Sequence, residues 1–399
     1  MAVKVSKSKV NIRQKLTELD IPKGVHGTQL VASRTVGETF DLVKAGRRNL
    51  LHNGSMQICQ RVNSQSGIQY AAYHGPDRWK FNISGALCGT WTVSQDTDVP
   101  AGQGFKKSYK MDCTATRDTL AAGSALGVSQ FIEGQDLKHL AWGYPQAKDL
   151  TLSFWLKSDK LGTFVVYIRN HGGGTALNRQ VRVRSTGEWA YYVVNIPADR
   201  LNQMTYDNSK QLEVTFWFDA GTNQGGGASG GSMTKGWTSY HAAHTSVGCD
   251  LRLANSTSND LWLTGVQLEV GNEPTPFEHI TYGEELALCK RYYERYTASG
   301  GNTGRGPQVG SYNNTRYFGY INCVSKRHSN VSVGYGGGLK VEAINLGSDS
   351  AVTGISDYAQ IDGGSGIFLE VNTSAWGSSG TLYHLGFPTN AYIDIDSDL

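Results

Sequence analysis

The fold is constrained most by a series of short, aromatic-rich segments between about residue 49 and residue 279, in which polar and apolar residues alternate. Such alternation is typical of strands with one buried face. Since few helical patterns separate these segments, they predict antiparallel sheets packed as a sandwich. The five residues SDKLG at 158–162 predict a hairpin turn. The clearest segments are 78–83, 89–95, 151–157, 163–169, 189–196, 212–218 and 261–269.

The order of these segments resembles that of the jelly-roll carbohydrate-binding modules. The motifs LSFWLKS, EWAYYVVNIP, LEVTFWF and LWLTGVQLEVG follow one another along the chain. In those modules a strand like the last one lies beside the strand at which the domain begins. The resemblance implies a jelly-roll β-sandwich over residues 49–280.

The chain after residue 280 changes pattern twice. Leu286, Cys289, Tyr293 and Tyr296 recur at helical spacing, which predicts a helical connector over 281–298. Residues 299–399 return to short alternating segments with glycine pairs between them. We therefore expect a smaller C-terminal β-sandwich tip domain, in a chain that is mainly β.

The first 48 residues form two short helical stripes. Ile12, Leu16 and Leu19 mark the first stripe, and Phe40 lies in the second. Helices of about three turns are unstable alone in water. These residues therefore predict an N-terminal short-helix docking arm, which packs either on a partner or back on its own domain.

Charge is distributed unevenly along the chain. The first 61 residues hold eleven Lys or Arg and four Asp or Glu, whereas the residues after Lys340 hold eight acids and no Lys or Arg. The two ends either meet different partners or form ordinary solvated surface. The formal net charge of +3 argues against a nucleic-acid partner. No run approaches the roughly 18 apolar residues of a membrane span, so we expect no membrane insertion.

Catalytic patterns are weak. The matches GASGG at 227–231 and GGGASG at 225–230 lack the strand–turn–helix context that a nucleophile elbow or a dinucleotide site needs. A glycosidase needs two carboxylates about 5–10 Å apart. The candidates Glu133, Asp136, Glu188, Glu213, Asp219 and Glu269 are not paired by any motif. We predict a non-enzymatic protein without a catalytic residue.

Metal ligands are equally sparse. His241 and His244 could present two imidazoles if their segment were helical, but no third ligand is indicated. Asp394, Asp396 and Asp398 fall on one face of a strand, where they are either solvated or bridged by Ca²⁺. We expect no metal site and no cofactor. The six cysteines contain no C-x-x-C pair and are expected to be buried free thiols.

Exposed aromatic residues are the better candidates for a binding function. Sugar rings stack their apolar faces on Trp and Tyr, and polar side chains read their hydroxyls. Aromatic residues in predicted loops include Trp237, Tyr240, Tyr312 and Trp376. We predict that these four bind glycan, the alternative being that each packs in the core or in a turn.

Four segments together resemble a family of tailed-phage virion proteins. Residues 47–61, RRNLLHNGSMQICQR, resemble the opening RRNLIINGAMQVAQR of that family, and PDRW at 76–79 resembles VDRW. Residues 266–279, VQLEVGNEPTPFEH, resemble VQLEVGxxATPFEHR, and EELALCKRYY at 284–293 resembles EELALCQRYY. The resemblance covers about residues 40–296, and residues 1–46 resemble the N-terminus of virion structural proteins from T7-like cyanophages.

This resemblance implies a bacteriophage virion structural protein, most directly a tail fibre made in the host cytoplasm. It implies a homotrimer that docks on tail adaptor or nozzle proteins through its N-terminus. It also implies host attachment, in which the β domains bind a surface polysaccharide as receptor. The alternatives are a capsid (head) fibre or tail decoration protein without receptor binding, and a polysaccharide depolymerase.

Overall fold

A computed structural model describes residues 47–224, 236–297, 304–327, 331–343, 349–360, 366–374, 382–388 and 390–398. The predicted docking residues Ile12, Leu16, Leu19 and Phe40 lie outside these residues. The chain divides into two compact units, Met1–Arg48 and Asn49–Leu399. A further division of the second unit at residues 280 and 298 remains a prediction. No described helix is long and apolar enough to cross a membrane.

The first sheet contains six antiparallel strands in the order β1-β4-β5-β13-β7-β10. β13 pairs with both β5 and β7, so it joins the two halves of the sheet. The backbone N–H of Leu50 donates to the carbonyl of Leu268 in β13 at 2.8 Å, which brings the start and the end of the domain side by side. The strands are Ser64–Ile68 (β1), Thr90–Asp96 (β4), Ser108–Ala115 (β5), Leu150–Ser158 (β7), Ala190–Ile196 (β10) and Asp260–Val270 (β13).

The second sheet contains seven antiparallel strands in the order β12-β9-β8-β11-β6-β3-β2. Short 3₁₀ helices at Gly134–Leu140, Ala242–His244 and Leu253–Asn255 connect strands of the two sheets. The strands are Ala72–Tyr73 (β2), Lys80–Ser84 (β3), Ala125–Glu133 (β6), Thr163–Asn170 (β8), Thr175–Arg182 (β9), Lys210–Ala220 (β11) and Thr238–Ser239 (β12).

The two sheets face each other across an aromatic core. The ring centroid of Phe154 on β7 lies 4.9 Å from that of Phe216 on β11 and 6.1 Å from that of Phe164 on β8. All three side chains are fully buried. Strand alternation directs such residues inward from both sheets. The mainly β fold with a jelly-roll sandwich is thus confirmed.

The predicted hairpin at SDKLG is wrong. β7 and β8 flank this segment but belong to opposite sheets, so residues 159–162 cross from one sheet to the other. β7 pairs with β10 and β13, while β8 pairs with β9 and β11. β7 finds both of its partners at long range, and β8 forms its local hairpin with β9 rather than with β7.

The predicted connector over 281–298 is helical only in its first half. Helix α1, Tyr282–Lys290, begins at Thr281, whose hydroxyl accepts from the backbone N–H of Glu284 while the Glu284 carboxylate accepts from the backbone N–H of Thr281. The chain then forms β14, Tyr293–Thr297. The stripe that reaches Tyr293 and Tyr296 had suggested a longer helix. Two of its four residues instead lie on a strand, because β14 pairs over its full length with the last strand of the chain, Tyr392–Asp396.

The C-terminal part combines a closed barrel with a small sheet. The barrel order is β15-β16-β20-β19-β18-β21, and the sheet order is β14-β22-β17. The sequence predicted a sandwich here, but the six strands close on themselves, which leaves them no free edge. The strands are Gly304–Ser311 (β15), Arg316–Asn322 (β16), Ser332–Gly336 (β17), Lys340–Ala343 (β18), Asp349–Gln360 (β19), Gly366–Thr373 (β20), Leu382–Phe387 (β21) and Tyr392–Asp396 (β22).

Candidate glycan-binding groove

The outer face of the first sheet carries two aromatic side chains directly opposite each other. Trp155 on β7 and Tyr191 on β10 are register partners, and their ring centroids lie 5.3 Å apart. Their chain neighbours Phe154 and Tyr192 are buried in the core. Because adjacent residues of a strand point to opposite faces, Trp155 and Tyr191 must point outward. Both are half-buried, so each ring keeps an accessible surface.

A depression of about 350 Å³ lies against this pair. A second aromatic group forms its other wall: the ring of Phe277 lies 5.0 Å from that of Phe105 and 4.9 Å from that of His279. The volume is at the small end of the roughly 300–1,000 Å³ of ligand sites. We call this depression the aromatic groove. Its lining residues are Gly102, Gln103, Phe105, Ser153, Trp155, Tyr191, Gly265, Pro276, Phe277 and His279.

Gly265 is required where the two walls meet. It lies in the bulge of β13 between Thr264 and Gln267, and its φ of +61° is in the left-handed region. A Cβ at this position would lie 2.6 Å from Cζ of Phe105 and 3.0 Å from Cδ1 of Trp155. A real Cβ atom essentially never approaches a neighbour as closely as 2.6 Å. Only glycine therefore permits this arrangement of the rings.

Two buried polar side chains of β13 hold the loop that carries Phe277 and His279. The carboxylate of Glu269 accepts from the backbone N–H of Thr275 at 2.7 Å and from its hydroxyl at 2.6 Å. The side-chain oxygen of Gln267 accepts from the backbone N–H of Glu278 at 2.8 Å. Glu269 and Gln267 are both fully buried. The loop is therefore fixed on both sides of Phe277.

A polar patch continues along the same sheet face. Asp98 accepts from the Nζ of Lys157 at 2.6 Å and from the indole N–H of Trp189 at 2.8 Å. The pKa of Asp98 lies below its usual value, because these hydrogen bonds together outweigh the partial burial that acts to raise it. The Lys157 ammonium also lies 4.4 Å from the ring centroid of Trp262. Aromatic and charged groups thus share one face of the sandwich.

The structure describes three of the four predicted glycan-binding residues. Trp237 is half-buried, donates its indole N–H to the carbonyl of Pro197 at 2.7 Å and packs 5.0 Å from Trp142. Tyr240 is 40% exposed, with the guanidinium of Arg169 3.7 Å from its ring centroid.

Tyr312 follows strand β15 of the C-terminal barrel, where it is 63% exposed and its ring packs edge-on against Phe318. Trp376 lies outside the described residues. None of the three described residues lines the aromatic groove. Their binding of glycan stays a prediction.

Sequence reasoning overlooked the groove residues, although a signal for two of them was present. Phe154 and Trp155 are adjacent in LSFWLKS, and Tyr191 and Tyr192 are adjacent in EWAYYVV. In a strand, one member of each aromatic pair must face outward. The positions of Phe105, Phe277 and His279 follow from loop packing, which leaves no comparable sequence pattern.

Each of the three C-terminal carboxylates forms an ion pair with an arginine, and Asp396 also stays partly exposed. The guanidinium of Arg295 pairs with Asp394 at 2.6 Å, that of Arg61 with Asp396 at 2.9 Å and that of Arg78 with Asp398 at 3.0 Å. The sequence offered solvation or a Ca²⁺ bridge for these carboxylates, whereas in the structure an arginine neutralises each of them. His241 uses its Nδ1 to accept from the backbone N–H of Ala243. Within the described ranges, no three His, Cys, Asp or Glu side chains are arranged to hold a metal ion.

Four of the six carboxylates in which a glycosidase pair was sought are engaged in structural contacts. Those contacts neutralise or orient each of the four carboxylates within the fold. They do not direct two carboxylates at one cavity, as a glycosidase pair would require. The partners are Arg291 for Glu133, His171 and Thr215 for Glu213, the backbone N–H of Ala254 for Asp219, and Thr275 for Glu269.

Three of the four segments that carry the phage resemblance meet around one buried asparagine. The Asn53 side chain accepts from the backbone N–H of Ile58 at 2.9 Å and donates to the carbonyl of Asp77 at 2.9 Å. Its backbone carbonyl accepts from the indole of Trp79 at 2.9 Å, and its N–H donates to Glu285 at 2.6 Å. These segments therefore specify one packing centre of the fold.

No family model matches the chain, and no curated protein matches its sequence. Among solved structures, it is similar to the enzymatically active domain of tailspike protein 4 from bacteriophage CBA120, with 14% identity and a TM-score of 0.27 over 56% of this chain and 21% of that chain. The chain thus spans about a fifth of that tailspike structure.

Carbohydrate-binding modules are also similar. TmCBM61, solved with β-1,4-galactotriose, matches with 12% identity and a TM-score of 0.27 over 57% of this chain and 100% of that chain. A family 30 carbohydrate-binding module matches with 13% identity and a TM-score of 0.29 over 60% of this chain and 96% of that chain. Identities and TM-scores this low transfer neither a ligand nor an activity to this chain.

Proposed function

We propose that this protein binds a host-surface glycan through the aromatic groove, as the tail fibre of a phage virion. The observation that carries the binding proposal is the opposed pair Trp155 and Tyr191 on an accessible sheet face, with Phe277 and His279 as the facing wall. A groove on a sheet face with accessible rings suits an extended ligand that presents apolar surface.

The chemistry of the groove fits a sugar ring. The rings of Trp155 and Tyr191 offer π-faces to the axial C–H groups of a pyranose, an attraction that needs no charge on the ligand. Gln103, Ser153 and His279 line the same groove and can donate to or accept from hydroxyl groups. The walls need little rearrangement on binding because Gly265 and the loop hydrogen bonds fix them.

The virion part of the proposal is supported by the four resembling segments over residues 47–293. In this proposal the N-terminal arm docks on a tail adaptor or nozzle protein, and three chains associate. A homotrimer gives three grooves, whose linked binding raises avidity without a new contact. We propose binding without hydrolysis, since Glu133, Glu213 and Glu269 are engaged in structural contacts.

The binding proposal is tested with the full-length protein on an array of bacterial surface polysaccharides. Trp155→Ala and Tyr191→Ala should each weaken binding to the best glycan by about tenfold or more, because each removes a stacking face. Tyr70→Ala is the matched control, since Tyr70 is 58% exposed and lies outside the groove. Equal binding by wild type, Trp155→Ala and Tyr70→Ala would exclude the groove as the site.

The virion proposal has its own test. Immunogold electron microscopy of particles should place antibodies against this chain on tail appendages, and light scattering of the full chain should give three times the 43.4 kDa chain mass. Label on the capsid would favour the head-fibre alternative, and a monomer would contradict the trimeric fibre.

A further inference from the structure

A second depression of about 750 Å³ lies along one open edge of the sandwich. It is lined by residues 179–184, which cover the end of β9 and the turn after it, and by residues 192–195 of β10. β10 is the last strand of the first sheet, and β9 pairs on its outer side only through residues 175 and 176. The depression therefore lies between two strand edges that face the same side. We call it the basic cleft.

The basic cleft carries one sign of charge. Arg179, Arg182 and Arg184 line it, and its described lining residues include no carboxylate. Arg182 and Arg184 are exposed. The Arg184 guanidinium lies 4.9 Å from the ring centroid of Tyr192 and donates to the carbonyl of Tyr191 at 3.2 Å, which limits its movement. Burial lowers the pKa of the Arg179 guanidinium, because a charged group is disfavoured where it is shielded from water. An anion bound beside Arg179 would stabilise its charged form.

The aromatic groove and the basic cleft meet on strand β10. Tyr191 lines the groove, while Val193 and Asn195 line the cleft and point to the same sheet face as Tyr191. At a rise of about 3.3 Å per residue, Val193 lies about 7 Å and Asn195 about 13 Å beyond Tyr191 along the strand. Val193 is 41% exposed and Asn195 is exposed. A polymer stacked on Tyr191 can therefore continue along β10 into the cleft.

We propose that the ligand of this continuous surface is an acidic polysaccharide, with neutral faces stacked in the aromatic groove and carboxylate or sulfate groups held by Arg182 and Arg184 in the basic cleft. The inference rests on the proposed glycan-binding function. Guanidinium groups suit an acidic ligand because two of their N–H groups can donate to two oxygens of one carboxylate or sulfate group. An acidic peptide would offer the same charge but no sugar face for Trp155 and Tyr191.

The test compares matched oligosaccharides by calorimetry with the full-length protein. The probes are a uronic-acid oligosaccharide, its carboxyl-reduced neutral form and a sulfated neutral oligosaccharide of similar length. Wild type should bind at least one acidic probe about tenfold more tightly than the neutral one, and this preference should shrink as salt rises. Preference for the uronate or for the sulfate identifies the source of the negative charge.

Three variants separate the two proposals. Arg182→Gln/Arg184→Gln should abolish the acidic preference while neutral binding persists, whereas Trp155→Ala should weaken acidic and neutral probes alike. Arg117→Gln/Lys138→Gln removes the same charge from exposed positions outside both depressions and should change neither. Circular dichroism confirms that each variant is folded.

The possible failures are distinguishable. If wild type binds neutral and acidic probes equally, the acidic inference is overturned and the glycan-binding function stands. If no oligosaccharide binds to wild type, or if Trp155→Ala binds every probe as tightly as wild type does, the glycan-binding function of the groove itself fails. Poly-glutamate serves as a competitor for the acidic oligosaccharide. If it binds as tightly as the uronic-acid oligosaccharide and its binding is unchanged in Trp155→Ala, the cleft is a general polyanion site and the inference is overturned.

Discussion

Arg78 and Asp398 form a buried ion pair across 320 residues of sequence, with Nη1 and Oδ1 3.0 Å apart. Their side chains are 1% and 5% exposed. The Arg78 guanidinium also stacks 3.3 Å from the ring centroid of Tyr292 and donates to the carbonyl of Phe131 at 2.7 Å. One arginine of the sandwich thus holds the end of the C-terminal sheet in place.

Removing the carboxylate should expose how much of the fold depends on this pair. Asp398→Asn leaves Arg78 buried without its counter-ion, so the free energy of unfolding should fall by about 3–5 kcal/mol. Urea denaturation measures the change. Asp349→Asn, which disrupts the exposed pair with Lys340, is the matched control and should leave the midpoint unchanged. Equal midpoints for both variants would contradict a stabilising role for Asp398.

Protonation of the Glu213 carboxylate should contribute to the loss of folding stability at low pH. His171 and Thr215 hydrogen-bond its buried carboxylate, and together with the nearby positive charges they hold its pKa below the ordinary 4.5, although burial acts to raise it. A lowered folded-state pKa contributes stability that is present above the unfolded-state value and lost as pH falls through the folded-state value.

Unfolding free energies measured against pH check this assignment. The difference between wild type and Glu213→Gln should shrink steadily once the pH falls below about 4.5. Glu188→Gln supplies the control, because Glu188 is exposed. A difference that does not change with pH would show that the Glu213 charge contributes nothing.

Gly265→Ala should damage both stability and the aromatic groove. The left-handed backbone costs about 1–2 kcal/mol for alanine, and contact of the new methyl with Phe105 adds about 1–3 kcal/mol. Gly67→Ala isolates the first effect, because Gly67 also has a left-handed φ of +73° but a Cβ there would meet nothing within 4 Å.

Thermal denaturation and glycan binding should therefore separate the two glycine variants. We expect Gly265→Ala to lose more stability than Gly67→Ala and to lose affinity as well, whereas Gly67→Ala should keep wild-type affinity. If the two variants are equally stable and bind equally, the close packing of Gly265 against the rings is not needed.

The six cysteines are free, but only Cys88, Cys113 and Cys289 are buried as predicted, whereas Cys59, Cys249 and Cys323 are half-buried. All six should still resist alkylation in the folded protein, because burial raises the pKa even of the half-buried thiols. Burial raises the pKa of Cys59 and Cys88 to about 12 and that of Cys113 to about 11. A thiol of pKa about 12 forms roughly a thousandth of the thiolate of one with pKa 9 at the same pH. Iodoacetamide followed by intact mass should add no group to native protein and six groups in guanidinium chloride; a rapidly formed native adduct would contradict this.

The sequence pattern predicted β11 and β13, whose buried runs are rich in aromatic and aliphatic residues. It missed β6, although all nine residues from Ala125 to Glu133 are buried, because Gly127, Ser129 and Gln130 interrupt its apolar residues. It also missed the crossing at residues 159–162, since only long-range pairing decides to which sheet β8 belongs. A local sequence pattern indicates which residues of one strand are buried. Which sheet the strand joins depends on pairing with segments that are distant in sequence.

The candidate site could also be predicted only in part. The outward direction of Trp155 and Tyr191 could be derived from their aromatic neighbours, because strand geometry fixes which face each residue takes. The opposite wall could not be, because Phe277 is placed by hydrogen bonds that its loop donates to the buried side chains of Gln267 and Glu269. The basic cleft was equally hidden, since β10 is an edge strand of the first sheet, while β9 lies beside the two-residue edge strand β12 of the second sheet.

The meeting of Leu50 and Leu268 has a mechanical consequence. The chain enters and leaves the sandwich at neighbouring points, joined by the Leu50–Leu268 hydrogen bond and by the Asn49 side chain, which accepts from the backbone N–H of Leu268 at 3.0 Å. Tension applied through the segments that flank the sandwich would therefore be carried across this short link. Most of the sandwich lies outside the line of force, so drag on the flanking segments would strain that link before it distorts the sheet face that bears Trp155.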